Sequence, residues 1–287
     1  MQGRIVSLNC GVYKVVGEKE EILVPAKGKF RVSPFKPVVG DLVIVNEQNV
    51  ISEILPRLSY LKRPTVANIS QMFIVQSLIE PLFSYQLIFK YLTYANMNNI
   101  KAHVILTKSD RYFDEEKIKE IIDTFKAFDI KTFVVSNKSN EGIDNIKGLF
   151  NGEISCLIGQ SGVGKSSFIN AIDPNNNRNI GEYSKALGRG KHETKEVILL
   201  PFMGGYIADT PGFSSLDLEL FKEDLAIYFP SFNKYYTECY FSNCLHISEN
   251  RCAIKEMVNS GKIPLVAYQS YLKLSEEAIY KKERFNR

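Results

Sequence analysis

Residues 159–167, Gly-Gln-Ser-Gly-Val-Gly-Lys-Ser-Ser, match the spacing G-x-x-x-x-G-K-[ST] at Gly159, Gly164, Lys165 and Ser166. An apolar run precedes them and a helical pattern follows, which is the context such a loop needs. The chemistry on offer is the cradling of nucleotide phosphates. Glycines let the backbone N–H groups of Gln160, Ser161, Gly162, Val163 and Gly164 close round an anion, and the following helix N-terminus adds a favourable dipole. Lys165 is placed to bridge the β- and γ-phosphates, and the Ser166 hydroxyl, with Ser167 beside it, to ligate Mg²⁺. Further on, Tyr206–Phe213 (YIADTPGF) reads as a strand ending at Asp209, a carboxylate able to hold Mg²⁺ directly or through water. The Gly212 N–H can then meet the γ-phosphate. Between the two lies GRGKHETKE (188–196), a polar, Gly-rich stretch where a loop ordered by the γ-phosphate is expected. Thr194 would be its Mg²⁺ contact, although any polar loop can carry a threonine.

A phosphate loop does not separate adenine from guanine. Thr107-Lys108-Ser109-Asp110 closes an apolar run and offers a base reader. Asp110 would accept hydrogen bonds from guanine N1–H and N2–H₂; adenine has no such pair and would leave the carboxylate unpaired. The Lys108 stem would lie along the base. One helix and one strand later, Val135-Ser136-Asn137-Lys138 can supply a backbone N–H to guanine O6 at Ser136 or Asn137. The order is reversed from that of an ordinary GTPase: the base reader comes about fifty residues before the phosphate loop.

A third set is Cys239, Cys244, His246 and Cys252, spaced C-x4-C-x-H-x5-C. Three thiolates and an imidazole make a closed, structural, tetrahedral Zn²⁺ site; the alternative is a group of reduced surface cysteines. Five cysteines in all, an odd count, argue against a disulfide framework. Cys10 and Cys156 sit in apolar strand patterns and read as buried, inert thiols. The aromatics near the cluster, Phe232, Tyr235, Tyr236, Tyr240 and Phe241, read mostly as its core, with stacking on RNA bases as the other role.

These groups must be positioned by two kinds of pattern. Residues 1–62 read as five short strands broken by Gly, Pro, Lys and Asn, the spacing of a small barrel of the OB-fold kind. Its turns are basic at Lys27, Lys29 and Arg31. Residues 63–68 read as a linker. From about residue 70, strands alternate with helices, which predicts a mostly parallel sheet covered on both faces. The chain ends in the cysteine cluster and a helix over Leu265–Phe285. The division expected is a barrel at 1–64, an α/β domain at 65–220 and a metal-binding helical domain at 221–287. With 45% hydrophobic and 24% charged residues the chain is neither disordered nor membranous in composition, and a cytoplasmic protein with no membrane partner is expected. Net charge is +4; residues 1–64 hold ten Lys/Arg against six Asp/Glu, and residues 222–287 ten against eight. The outer parts are thus the basic ones, as contact with RNA would require, though an uneven scatter of charge gives the same count.

Small barrel, base reader, phosphate loop and metal knuckle, in that order, resemble the circularly permuted GTPases. Over essentially the whole chain they resemble the bacterial small ribosomal subunit-dependent GTPase family of the YjeQ/YloQ (RsgA) type. The resemblance implies an α/β, circularly permuted P-loop GTPase domain between an N-terminal OB-fold and a C-terminal helical zinc-binding domain. It implies GTP/GDP, Mg²⁺ and one structural Zn²⁺, and GTP hydrolysis late in small-subunit maturation. It also implies a monomer whose partners are the small ribosomal subunit and its ribosomal RNA. The join would lie at residues 151–153 and the cut after 209–215, so that nucleotide state repositions residues 221–287. Phe213 stands where many GTPases carry a water-orienting glutamine; the resemblance assigns that task to a switch-loop histidine, here His192. Arg189 or Lys191 could instead stabilise charge, and His192 could be an ordinary loop residue. Thr107 replaces a common asparagine, which predicts a weaker tie to the phosphate loop, and Gly162 argues against potassium activation. The rival functions are an RNA-binding protein that uses GTP only as a ligand, and an ATPase or kinase with a chance TKSD.

Overall fold

A computed structural model describes residues 1–32, 35–62, 64–174, 197–209, 216 and 218–278. His192, Thr194, Gly212 and Phe213 lie outside the described residues.

Alternating burial builds the first sheet. β1 (Gln2–Asn9), β2 (Val12–Val16), β3 (Glu21–Pro25), β4 (Leu42–Val45) and β5 (Ile51–Ile54) pair antiparallel in the order β3-β2-β1-β4-β5. Ile5, Val15, Val24, Val43 and Ile51 point inward and are fully buried. A parallel bridge from Ala26 to Ile51, with Lys27 N–H donating to Ile51 O at 3.1 Å, closes β3 onto β5 into a barrel. Lys29 and Arg31, read as turn residues, lie in the short helix α1 (Lys29–Val32) between β3 and β4. Cys10 is a second correction. It is exposed, with φ +47°, in the tight Cys10-Gly11 turn joining β1 to β2, where no strand neighbour covers it.

The linker expected at 63–68 is instead half of a hairpin, β6 (Tyr60–Lys62) with β7 (Thr65–Ala67). It is clamped to the barrel. Asn68 donates to Gly40 O at 3.0 Å and accepts from Leu58 N–H at 2.8 Å. Gly40 (φ +94°) makes the approach possible, since a Cβ there would lie 1.9 Å from Ala67 O.

The central sheet runs β10-β9-β8-β11-β13-β12. β8 (Gln71–Ser77), β9 (Lys101–Thr107), β10 (Thr132–Val134), β11 (Ile154–Ile158) and β13 (Gly205–Asp209) are parallel. β12 (Ile198–Phe202) is antiparallel, because Met203 and Gly204 (φ +48° and +74°) form a two-residue hairpin turn into β13. The helices α2 (Tyr85–Met97), α3 (Glu115–Lys126), α4 (Asp144–Lys147) and α5 (Lys165–Ile172) cover the sheet. One core gathers Ile88, Phe89 and Phe125 against Ile74 and Val104; the other gathers Ile146, Phe150 and Phe168 against Phe73 and Val75. These are opposite faces of β8, as its residue parity requires.

His103 on β9 is 1% exposed and stacks on Phe73 at 5.3 Å, and neither ring nitrogen has a hydrogen-bond partner. Burial, helped by Lys101 and Lys131, pulls its pKa down to about 4. A pKa below the free value favours the neutral ring in the fold. The contribution is therefore complete above pH 6.5 and is lost as pH falls toward 4. A shift of that size corresponds to about 3 kcal/mol. His103→Leu is expected to shrink the loss of stability between pH 7 and pH 4.5 by a large part of that amount, as read from urea midpoints at the two pH values. An equal acid loss in the variant would contradict the assignment.

Residues 225–278 carry α6 (Leu225–Tyr228), α7 (Ala253–Asn259) and α8 (Leu265–Glu277), of which α6 and α8 pack on α2. Glu277 accepts from Gln86 at 2.9 Å and Lys90 at 2.6 Å, Asn96 donates to Tyr228 O at 2.8 Å, and Phe229 stacks on Phe89 at 5.3 Å. The helix expected to reach Phe285 ends at Glu277, since Ala278 is already extended (ψ 149°). Among the described residues no helix is long and apolar enough to cross a membrane.

Candidate functional site

Four parallel strands deliver their C-terminal ends to one edge of the central sheet, where ligands of such sheets gather. The phosphate loop leaves β11, Thr107–Asp110 leaves β9, Ser136 and Asn137 follow β10, and residues 78–84 follow β8. Gly159 has φ +153°, and a Cβ on it would lie 2.2 Å from Val75 O on β8, so only glycine lets the loop pass there. Gly164 (φ +97°) is the N-cap of α5. Ser161, Gly162, Ser166 and Ser167 face solvent on the loop and first helical turn. The Lys165 ammonium donates to Gly159 O at 2.6 Å and Gln160 O at 2.8 Å, and burial lowers its pKa. Asp209 ends β13, the strand beside β11, so its main chain reaches the same edge.

The base reader is tied to this loop. Lys108 adopts φ +65°, turning the chain into the single 3₁₀ turn Ser109–Arg111. Asp110 Oδ1 accepts the Ser136 hydroxyl at 2.8 Å. That hydroxyl accepts from the N–H groups of Ser139 (3.1 Å) and Lys138 (3.3 Å), so its own proton is directed to Asp110. The Lys108 ammonium donates to Glu80 O, and the adjoining Pro81 lies 4.0 Å from where a Cβ on Gly162 would stand. Thr107 stands between the two motifs. It is fully buried, and its hydroxyl donates to Val163 O at 2.6 Å, so the shorter side chain keeps a tie to the phosphate loop. Asn137 adds another, from Nδ2 to Gly164 O at 3.1 Å. A base held at Asp110 and phosphates held at Gly159–Ser166 would thus belong to one cleft. The 78–84 loop and the Asn137 side chain were not singled out by sequence reasoning. Their contacts join residues far apart in the chain, and no local pattern marks them.

The Cys/His cluster is also assembled. The ligand atoms of Cys239, Cys244, His246 and Cys252 lie within 4.8 Å of one another. His246 Nδ1 is 3.4 Å from both the Cys239 and Cys252 sulfurs, which are 3.9 Å apart. Tetrahedral zinc with Zn–S of about 2.3 Å and Zn–N of about 2.0 Å sets S···S near about 3.8 Å and S···N near about 3.5 Å, so the donor set fits that ion. Burial lowers the His246 pKa to about 4, favouring the neutral ring a metal requires. Protein groups also bind the loop: the Glu249 carboxylate accepts Leu245 N–H at 2.7 Å and Ile247 N–H at 2.9 Å. The hydroxyls of Tyr268 and Tyr271 on α8 donate to His246 O and Leu245 O at 2.8 and 2.9 Å. Of the nearby aromatics, Phe232 is buried and Tyr235 and Tyr236 partly so; Tyr240 and Phe241 are exposed.

Comparison with known proteins agrees with this geometry. The profile of the family described as RsgA GTPase matches residues 54–219, and that of the RsgA N-terminal domain matches residues 2–51. The chain belongs to the RsgA GTPase family. The Small ribosomal subunit biogenesis GTPase RsgA of Caldanaerobacter subterraneus subsp. tengcongensis is 40% identical over 99% of this chain and 98% of its own. That of Staphylococcus epidermidis is 39% identical over 99% of each. The crystal structure of YjeQ from Thermotoga maritima superposes with TM-score 0.84 at 33% identity, covering 98% of this chain and 99% of that one. The structure of YloQ, titled a circularly permuted GTPase, gives 0.79 at 29% identity, covering 96% and 94%.

The segment expected to be the join, residues 151–153, is packed rather than loose. Phe150 is buried, and Asn151-Gly152-Glu153 runs straight into β11. Gly152 N–H donates to Met203 O at 3.1 Å, and Glu153 O accepts Tyr206 N–H at 2.9 Å. The join is thereby clasped by the β12–β13 hairpin.

Proposed function

We propose that this chain is a GTP hydrolase acting in biogenesis of the small ribosomal subunit. The observation that carries the reading is convergence: the Asp110–Ser136 base reader and the Lys165 loop sit at one sheet edge, joined through Thr107 and Asn137, despite their reversed order in the chain. Asp110 reads guanine, with the Asn137 backbone N–H on O6, because the Ser136 N–H already donates to Glu141 O at 3.0 Å. Gly159–Ser167 and Lys165 hold the phosphates. Ser166, Asp209 and Thr194 are the residues to hold Mg²⁺, which would neutralise phosphate charge, and His192 is the residue proposed to position the attacking water. One Zn²⁺ fits the knuckle as a structural ion. The barrel (1–64) and the metal domain (221–287) flank the GTPase domain (65–220) and would contact ribosomal RNA, with the nucleotide state of a monomeric, cytoplasmic protein timing release. The names of the relatives support the ribosomal partner.

The test is GTP turnover measured with and without isolated small subunits. Stimulation of at least tenfold at low salt is expected. It should fall steeply as salt rises, because phosphate contacts by basic residues release counterions. Binding of GTP without turnover under any condition would favour instead an RNA-binding protein that uses GTP as a ligand, the reading that Phe213 raises.

A further inference from the structure

We infer that Asn137 is a positioning residue: with Thr107 it forms a pair of parallel struts that keep the phosphate loop in register with the guanine reader. The inference rests on the guanine-nucleotide reading above and adds a role for a side chain that reading does not use.

The two struts grip adjacent peptide carbonyls. Thr107 Oγ1 donates to Val163 O at 2.6 Å, and Asn137 Nδ2 donates to Gly164 O at 3.1 Å. Gly164 O also accepts Phe168 N–H at 2.9 Å, the first bond of α5, so Asn137 holds the helix start next to Lys165. The struts rise from different segments, the end of β9 and the turn after β10. Those segments are themselves joined by Ser136 and Asp110 at 2.8 Å. The result is a closed circuit in which a displacement at the base is carried to the carbonyls just before the phosphate-binding lysine. Gly164 is shaped for it: a Cβ there would lie 3.0 Å from Asn137 Nδ2 and 3.9 Å from Thr107 Oγ1. Asn137 Oδ1 is buried with no hydrogen-bond partner among the described residues. An unpaired buried acceptor is costly, so a position needed only for packing would be better filled by an apolar side chain. The amide N–H is the gain that offsets it.

Parallel struts make a sharp kinetic prediction. Either alone holds the loop, so each single loss is mild and the double loss exceeds their product. Dissociation of a fluorescent GDP analogue would be followed by stopped flow in the full chain. Asn137→Ala and Thr107→Val are each expected to speed release by about 3-fold and the double variant by about 50-fold, a coupling of the size seen between directly linked residues. Asn137→Asp keeps the shape but turns a carboxylate oxygen toward Gly164 O, and should release GDP about tenfold faster than wild type, worse than alanine. The preference for guanosine over xanthosine diphosphate, set by Asp110, should be unchanged in Asn137→Ala. A double variant at or below the product of the singles overturns the inference. So does an aspartate variant like wild type, or a shifted base preference, which would mean that the Asn137 side chain itself meets the base. If the double variant fails to fold, the aspartate and base-preference measurements still decide. A wild-type chain that binds no GDP would instead remove the nucleotide reading itself.

Discussion

Asp110→Asn is expected to weaken GDP binding by about 10³-fold and to create binding of xanthosine diphosphate, a discrimination of the size that buried hydrogen-bonding groups give. Guanine presents two donors to the carboxylate, N1–H and N2–H₂. An amide can accept from only one of them and turns its own NH₂ toward the other. Xanthine keeps N1–H but carries an oxygen in place of the exocyclic amine, so the mismatch becomes a match. The structure determines which way the new amide points. The Ser136 hydroxyl accepts from Lys138 and Ser139 N–H groups and must donate to residue 110. The amide oxygen is therefore held where Oδ1 is now, and the NH₂ takes the other position. Titration of wild type and variant with both diphosphates checks this. A variant that loses guanine without gaining xanthine would mean that Asp110 acts on the fold and not on the base.

Much of this site could be read along the chain because its parts are local. The phosphate loop is nine consecutive residues, and α5 starts at Lys165, as the motif requires. Asp110 lies just past the end of a continuous apolar strand. The four candidate metal ligands fall within fourteen residues, and a span that short limits where they can go. What escaped was set by distant partners. Thr107 was expected to weaken the tie to the phosphate loop; which atom it would meet there could not be read along the chain, and it is Val163 O, 2.6 Å from its hydroxyl. The β6–β7 hairpin was mistaken for a linker because three-residue strands are too short to show alternation; what holds it is Asn68 on Gly40 O. Cys10 looked buried because it ends an apolar run, but the Gly11 that follows (φ +80°) turns the chain back at the surface. The helix ending at Glu277 is similar: helical pattern continues past it, while Glu277 is held by Gln86 and Lys90 on α2.

Loss of the metal is expected to release the knuckle and leave nucleotide binding intact. Structural zinc contributes about 10–16 kcal/mol of apparent binding free energy in small domains, more than the rest of so short a loop can supply. Without it, three sulfurs and an imidazole nitrogen remain clustered, and the loop is held by a handful of hydrogen bonds from Glu249, Lys255, the two tyrosine hydroxyls and its own backbone. Tyr268 and Tyr271 lie on α8, so freeing the loop should also loosen the helix that docks on α2 through Glu277. The phosphate loop and base reader draw on none of these groups. The chain as purified should carry one zinc by elemental analysis. Cys252→Ser, at a ligand that is 2% exposed, should carry none. A strong chelator acting on the wild type, or that variant alone, should expose residues 236–278 to protease and lower the midpoint of their unfolding, with GDP affinity within about twofold of the holo protein. A metal-free chain with the same protease pattern would show that hydrogen bonds alone support the knuckle. A parallel collapse of GDP binding would show that the two domains unfold as one cooperative unit, coupled through the contacts of α2 with α8, Tyr228 and Phe229.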